Sequence, residues 1–292
     1  MTQTQRRPLG PDAAGIELPA TDFEYTDRDV ILYALGIGAT ELDFVYERNL
    51  KAIPSFAVIP AFPGMMGLSV AVEINLVMVL HGQQSFRIHK TIPTKGKLTT
   101  KGKVGSVYDK GKGALATVES ETRDESGELI FTNSSGVFVR GAGGFGGERG
   151  PEAGNNAPDR APDKTVEMAT LPTQAMIYRL SGDRNPLHID PDFAKMAGYD
   201  RPILHGLCTF GHVCRAAMQE YAGNDPARFT AMSVRFSGVV YPGDTIITEM
   251  WDEGNGKIIL QAKTQEGRVV ISNAAAPFDT SHFVGASVLL TP

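Results

Sequence analysis

The sequence predicts an α+β protein built as a tandem, or double, hot-dog fold, in which two antiparallel sheets each wrap a central helix. Three observations predict it. The chain repeats itself once, in order. A glycine- and proline-rich stretch separates the two copies. The second copy reads as one long helix followed by four short strands with turn signals between them.

The repeat rests on three matches in register. Tyr33-Ala-Leu35-Gly parallels Tyr178-Arg-Leu180-Ser. Ser85-Phe-Arg87 parallels Ser233-Val-Arg235, each followed by a proline six or seven residues on. The run from Gly127 through Asn133 to Phe138 parallels the run from Gly267 through Asn273 to Phe278 with the same internal spacing. Between the copies, residues 141–164 are too rich in Gly, Pro, Asn and charge to bury a core and read as a linker. The expected organisation is an N-terminal unit over 1–140, the linker over 141–164 and a C-terminal unit over 165–292.

Each unit should run through a short helix, a loop, a longer helix and several strands. In the first, the short helix lies around Tyr33. The long stretch Ile59 to Leu80 carries Pro60, Pro63, Gly64 and Gly67, so its helix should be short or irregular, which leaves room for a ligand. In the second, a short amphipathic run ends at Tyr178, and Asp190-Pro191 has the form of an N-cap followed by N1. Gly206 opens the long helix. Leu207, Phe210, Cys214, Ala217, Met218 and Tyr221 recur at helical spacing, and Gly223 offers a stop. Met232 to Val240, Thr245 to Trp251, Ile258 to Thr264 and Val269 to Ala275 read as strands. Their turns are Pro242-Gly-Asp, Gly254-Asn-Gly and Glu266-Gly.

Composition excludes several classes of function. The chain has 292 residues, a hydrophobic fraction of 42% and a formal charge of -5. That charge offers no basic footprint for nucleic acid. No apolar run free of breakers reaches membrane-spanning length: Met65 to Leu80 is interrupted by Gly67, Glu73 and Asn75. No apolar signal region follows the N-terminal arginines, and Val288-Leu-Leu-Thr-Pro292 is not a Ser-Lys-Leu address, so a cytoplasmic location is expected, with a peroxisomal one open for a eukaryotic source. Cys208 and Cys214 lie on one predicted helix roughly 9 Å apart by helix rise, too far for a disulfide. Together with His205 and His212 they make a tempting metal set, but without paired C-x-x-C spacing reduced, buried thiols are expected and no metal.

The chemistry concentrates in Tyr178-Arg-Leu-Ser-Gly-Asp183-Arg-Asn185-Pro-Leu-His188-Ile-Asp190-Pro191. A carboxylate, an amide and an imidazole stand at i, i+2 and i+5. Asp, Asn and Pro all favour turns, but three such side chains within six residues exceed what one turn requires. Held together, Asp183 and His188 can take a proton from water and give one to carbon. In the first unit the same frame puts Gly38 opposite Asp183, Thr40 opposite Asn185 and Asp43 opposite His188, so one active site per chain is expected, in the second unit. A second piece is Leu204-His205-Gly206-Leu207. Gly206 N–H is an orphan donor at a helix N-terminus, suited to an oxygen that gains negative charge, although Gly206 also suits a tight helix entry.

These motifs resemble the hydratase 2, or MaoC-like, family of (R)-specific enoyl-CoA hydratases, in its double hot-dog form. The likeness covers nearly the whole chain outside the linker. The first unit shares it through Tyr33-Ala-Leu-Gly-Ile-Gly-Ala, Leu80-His81-Gly82-Gln-Gln and Asp109-Lys110-Gly111. The resemblance implies that Asp183 and His188 are the catalytic pair, that Asn185 helps hold the water and that Gly206 N–H binds the thioester oxygen. It implies that His81, Gly82, Lys110 and Phe236 contact the acyl-CoA. By residue type alone, Lys110 in its glycine-rich turn would be an ordinary solvated lysine. The implied reaction hydrates a trans-2-enoyl-CoA to the (3R)-3-hydroxyacyl-CoA without metal or redox cofactor, in a homodimer. The alternatives are a 3-hydroxyacyl-thioester dehydratase of fatty-acid or polyketide-type synthesis, a hot-dog thioesterase and a non-catalytic acyl-CoA binding module. Nucleotide binding is disfavoured, because the glycines at 141–150 do not form G-x-G-x-x-G after a strand.

Overall fold

The structure, a computed structural model, describes residues 6–254 and 256–277. Two short strands, β1 (Arg7–Pro8) and β3 (Val72–Glu73), pair in parallel as a small separate sheet. The main sheet has ten strands: β2 (Thr21–Tyr25), β4 (Val79–Ile88), β5 (Gly96–Asp109), β6 (Gly113–Asp124), β7 (Leu129–Arg140), β8 (Lys164–Ala169), β9 (Ala231–Phe236), β10 (Thr245–Asp252), β11 (Lys257–Thr264) and β12 (Val269–Pro277). Its order is β2-β5-β6-β7-β4-β9-β12-β11-β10-β8, and every adjacent pair is antiparallel. The helices are α1 (Asp27–Gly36), α2 (Leu42–Val45), α3 (Val58–Met66), α4 (Leu68–Ala71), α5 (Gln174–Tyr178), α6 (Pro191–Met196) and α7 (Gly206–Ala222). This is the double hot-dog fold.

The repeat read from the sequence has a physical counterpart at the centre. Counted outward from the β4–β9 junction, the two half-sheets have the same succession of strands. The matched triplets pair with each other there, with Ser85 opposite Ser233. The matched tyrosines also meet: Tyr33 and Tyr178 are fully buried, with ring centroids 6.0 Å apart. The third matched run forms β7 and β12, the strands flanking the junction on either side. Its last residue, Phe278, lies outside the described residues, as do Asn255 of the second turn and the chain beyond 277.

Three of the strands expected in the second unit and its long helix stand where their patterns put them, whereas the strand expected over Met232 to Val240 ends at Phe236; α7 ends at Gly223 in the left-handed region (φ 61). The first-unit helix is short, as its breakers imply: α3 contains Pro63, and Gly67 separates it from α4. The helical run Pro54–Ala71 is long and apolar enough to cross a membrane by composition, yet 56% of it is buried against the first half-sheet, as a core segment would be. The structure differs from expectation in that a strand of the main sheet, β2 or β8, precedes the short helix of each unit. Both are outermost strands of the sheet. Their alternating sequences, Thr-Asp-Phe-Glu-Tyr and Lys-Thr-Val-Glu-Met-Ala, carry the charges that keep an edge strand soluble, which masks the apolar face.

One hydrophobic core runs through both units. Phe56, Phe86, Leu98 and Phe131 of the first pack in the same cluster as Phe210, Met218, Met232 and Leu260 of the second. Each such side chain contributes about 1.5–3 kcal/mol by leaving water. The linker has no regular structure before β8, but it is strapped down. Asp109 accepts the N–H groups of Gly144 and Gly146, Trp251 Nε1 donates to the Arg160 carbonyl, and Ala157 packs on Trp251, Ile259 and Ala275.

The units are bolted together at the C-terminus of α1. Its last carbonyls have no partner within the helix, and the second unit supplies donors. Gln174 Nε2 donates to the Leu35 and Gly36 carbonyls (3.1 and 2.6 Å), and Cys208 Sγ to that of Gly36 (3.2 Å). Arg215 Nη1 donates to the Ile37 carbonyl (3.0 Å), and its Nη2 reaches both oxygens of Glu41 (3.1 Å each). The approach is close enough to need glycine: a Cβ on Gly211 would sit 2.4 Å from Ile37 Cγ2. Both cysteines are buried and free.

Burial opposes ionisation of Glu41, but the amides of Glu41 and Thr40 and the Arg215 guanidinium together hold its pKa below the ordinary carboxylate value. A depressed folded-state pKa means that this stabilisation is present above the unfolded carboxylate pKa and is lost as pH falls through the folded one. Arg215→Met is therefore expected to destabilise by about 3 kcal/mol, the low end for breaking a buried pair, because Glu41 keeps 32% of its side chain exposed. Urea unfolding between pH 7 and pH 3 checks both points: the variant should lose stability at pH 7 and show a shallower decline in acid.

Candidate active site

The motif segment folds as a chain of short turns, each with a local cause. After α5, a 3-10 turn over Arg179–Ser181 ends at Gly182, whose φ of 138° admits glycine almost alone. Asp183 Oδ1 then accepts Asn185 N–H (3.1 Å), and Asn185 Oδ1 accepts Leu187 N–H (3.0 Å), capping the 3-10 turn Pro186–His188. Asp190 caps α6 through the N–H groups of Asp192 and Phe193, with Pro191 at the first helical position. The capping role foreseen for Asp190 holds. Asn185 is exposed and also caps a turn through its carbonyl oxygen, which leaves its Nδ2 without a protein partner among the described residues.

Asp183 and His188 face each other with Oδ2 and Nε2 3.9 Å apart, the carboxylate side chain 21% exposed and the imidazole 9%. His188 Nδ1 lies 2.9 Å from the Ile203 carbonyl, which accepts only a proton donor, so neutral His188 carries its proton on Nδ1 and turns the Nε2 lone pair toward Asp183. Burial lowers the His188 pKa, and the Asp183 carboxylate and the Ile203 carbonyl oppose that only in part. The gap is too wide for a direct hydrogen bond. Two acceptors that face each other across such a gap suit a ligand with two protons to donate.

His205 closes this group from behind. Its ring stacks on His188 (centroids 3.7 Å apart, planes 27° apart), and its Nε2 donates to the Asp183 backbone carbonyl (3.1 Å). Its Nδ1 is buried without a partner among the described residues. Burial, with the nearby His188, pushes its pKa down to about 2, so it stays neutral. Ligating atoms of Asp183, His188 and His205 all lie within 4.8 Å of one another, a spacing that invites a metal. The stack argues against one: in-plane lone pairs of two nearly parallel rings run side by side and do not meet at a point.

Gly206, the first residue of α7, directs an N–H with no acceptor among the described residues out of the helix start, and the Phe236 ring packs over it at 3.4 Å from where a Cβ would stand. Phe236 in turn contacts His81 (ring centroids 5.0 Å apart). His81 Nε2 donates to Gln84 Oε1 (3.2 Å), and burial takes its pKa down to about 4. Gly82 sits at a bulge in the β4–β7 pairing, where the register shifts between His81 and Gln83. This bulge adjoins the last junction pair, Gln83 opposite Arg235. The structure thus joins Asp183, His188, Gly206, Phe236 and His81 into one run of contacts across both units. Lys110 is not in direct contact with them. It bonds the Arg149 carbonyl, and burial and then the charges of Arg235 and Arg149 lower its pKa.

The corresponding frame of the first unit carries no such group. A Cβ on Gly38 would stand 3.0 Å from His212 Nε2, and Asp43 makes a surface ion pair with Lys51 (2.8 Å). Sequence reasoning weighed His205 only as a metal ligand and passed over Arg149 and Arg235. The signal for His205 was its place: the N-cap of a long helix, where Ser, Thr, Asp or Asn is usual, holds a histidine that makes no capping bond.

The chain matches two family models, one described as the MFE-2 hydratase 2 N-terminal domain over residues 23–141 and one as a MaoC like domain over residues 153–275. It is 44% identical to "Probable enoyl-CoA hydratase 2" of Dictyostelium discoideum over 270 residues, covering 87% of this chain and 91% of that protein. It is 45% identical to "Peroxisomal multifunctional enzyme type 2" of Mus musculus over 277 residues, covering 90% of this chain but 37% of that protein. The chain therefore spans about a third of the length of that multifunctional relative. Among solved structures, a MaoC-like dehydratase from Phytophthora capsici superposes with a TM-score of 0.83 at 38% identity, covering 91% of this chain and 97% of that one.

By NMR of imidazole nitrogens, His188 is expected to titrate below the ordinary histidine value and to carry its neutral-state proton on Nδ1. Asp183→Asn removes the charge that supports imidazolium, so it should lower that pKa further. An upward shift in the variant would contradict the electrostatics described.

Proposed function

The chain belongs to the hydratase 2, MaoC-like family of double hot-dog proteins, and on that premise we propose that it is an (R)-specific 2-enoyl-CoA hydratase, a hydro-lyase that adds water reversibly to trans-2-enoyl-CoA to give the (3R)-3-hydroxyacyl-CoA. The observation that carries the reading is the Asp183–His188 pair, two proton acceptors 3.9 Å apart with the His188 tautomer held by Ile203. A water that donates one hydrogen to each leaves its oxygen lone pairs for carbon 3 of the enoyl thioester. Gly206 N–H, backed by the α7 dipole, receives the thioester oxygen as negative charge develops on it. One member of the pair takes the water proton as the C–O bond forms, and the proton passes to carbon 2 as the enolate-like charge collapses. The new C–O bond at carbon 3 and the new C–H bond at carbon 2 are both made from that water, which keeps its other O–H, so no other reactant is consumed. A positioned acid or base contributes about 10²–10⁴-fold and an oxyanion donor about 10²–10³-fold.

Asn185 Nδ2 is the remaining donor at the mouth of the turn and is assigned to holding the water or substrate in place. His81, Gly82 and Phe236 form the wall for the acyl-pantetheine part. The glycine bulge lets the chain pass close, and the two rings give it an apolar surface. Lys110, with Arg149 and Arg235, makes a group of cations without acidic partners among the described residues, which favours the phosphates of a CoA over a bare thioester. The dehydratase reading differs only in direction and carrier, and this cationic group is the feature that favours CoA. Leu35, Met176 and Leu180 are exposed on helical elements that pack together, which favours self-association as a homodimer.

Crotonyl-CoA and a longer trans-2-enoyl-CoA, with the product offered to R- and S-specific dehydrogenases, test the activity. An S alcohol, or release of CoA without hydroxyacyl-CoA, would sink the reading. Asp183→Asn and His188→Gln should each fold and lose about 10²-fold or more in kcat. Gly206→Pro tests the oxyanion donor directly. Proline suits the first helical position, and His205 already has the extended conformation (φ -57, ψ 134) that precedes proline. The variant should keep its Tm and lose about 10²–10³-fold in kcat; unchanged turnover would remove Gly206 from the mechanism.

A further inference from the structure

We propose that His205 is the positioning residue of this site, holding the Asp183 turn by its hydrogen bond and the His188 ring by its stack, so that the two proton acceptors keep their spacing. Two independent contacts point there. His205 Nε2 reaches 22 residues back in sequence to the Asp183 carbonyl (3.1 Å), which ties the N-terminus of α7, and with it Gly206, to the turn that carries the carboxylate. The His205 ring covers one face of His188 at 3.7 Å and is itself backed by Tyr178 at 5.0 Å. His188 is thus held at its edge by the Ile203 carbonyl and on its face by His205. The groups facing it are the Asp183 carboxylate, the Ile203 carbonyl and the His205 ring; those facing His205 are His188, Tyr178 and, by its charge, Arg179.

The protonation state follows from the same contacts. Donation to a carbonyl puts the His205 proton on Nε2 and leaves Nδ1 as a buried acceptor without a donor. A residue whose only task was to fill space would not carry this unpaired nitrogen, because phenylalanine fills the same volume without it. Burial keeps the ring neutral, and neutrality matters: a cation stacked at 3.7 Å would repel any imidazolium that forms on His188 during proton transfer. His205 therefore acts through its two neighbours, and a substitution should reach turnover before it reaches substrate affinity.

The kinetic arm rests on the hydratase reading; the spectroscopic arm does not. His205→Gln keeps a donor for the Asp183 carbonyl but removes the stack, so water reaches the face of His188 and its pKa should rise toward the ordinary value. His205→Phe keeps the stack but removes the donor, so the His188 pKa should stay low while kcat falls about 10- to 100-fold, as expected for a misplaced reacting group. KM for an enoyl-CoA should move little in either. Imidazole nitrogen NMR of the wild type should find His205 as the Nε2–H tautomer. The proposal is overturned if wild-type His205 carries its proton on Nδ1, if His205→Gln leaves the His188 pKa in place, or if His205→Phe turns over at the wild-type rate. Should the wild type lack hydratase activity, the proposed function fails, and the NMR results still decide the positioning role.

Discussion

The C-terminus of α1 is the constraint on which the rest of the molecule depends. Helix carbonyls that end in a protein interior must find donors. Here those of Leu35, Gly36 and Ile37 find them on Gln174, Cys208 and Arg215, all from the other unit. Gln174 opens the helix that leads into the Asp183 turn, and Cys208 and Arg215 lie on the helix that Gly206 begins. Satisfying one helix end therefore fixes the two segments of the site relative to each other. The continuous β4–β9 junction supplies the second tie, and between them the two units share one core.

The buried groups left unpaired are informative beside this. Among the described residues, the Tyr178 hydroxyl, His205 Nδ1 and His212 Nε2 are buried without partners at the seam and the site. Each such group costs about 1–3 kcal/mol. Division of labour between the copies follows the same line. The first unit brings His81 and the Gly82 bulge beside Phe236, while its own counterpart of the Asp183 frame ends in a surface ion pair at Asp43.

Much of this was legible in the sequence because its signals are local. The α7 stripe, the strand alternation, the Asp190-Pro191 cap and the breakers in the first-unit helix all act over a few residues, and each appears where its chemistry requires. The edge strands β2 and β8 were not legible, since their charged residues hide a half-buried face that exists only once a neighbour pairs with them. The linker forms no helix or strand before β8. Its attachment through Asp109 and Trp251 depends on groups brought near by the folded sheet.

By itself, the sequence determined that two like units lie in tandem, that the second carries Asp183, Asn185 and His188 in one turn, and that Gly206 begins a helix. Those are matters of periodicity, capping and spacing, which a chain carries along its length. Only the tertiary structure decided that the repeated serines and tyrosines meet each other across a shared axis. It also decided that Phe236 and His81 wall the space beside Gly206, and that His205 joins the Asp183 turn to the helix start. Those contacts span from about twenty to more than a hundred residues, and their distances depend on how the sheet closes around both helices, which no local pattern encodes.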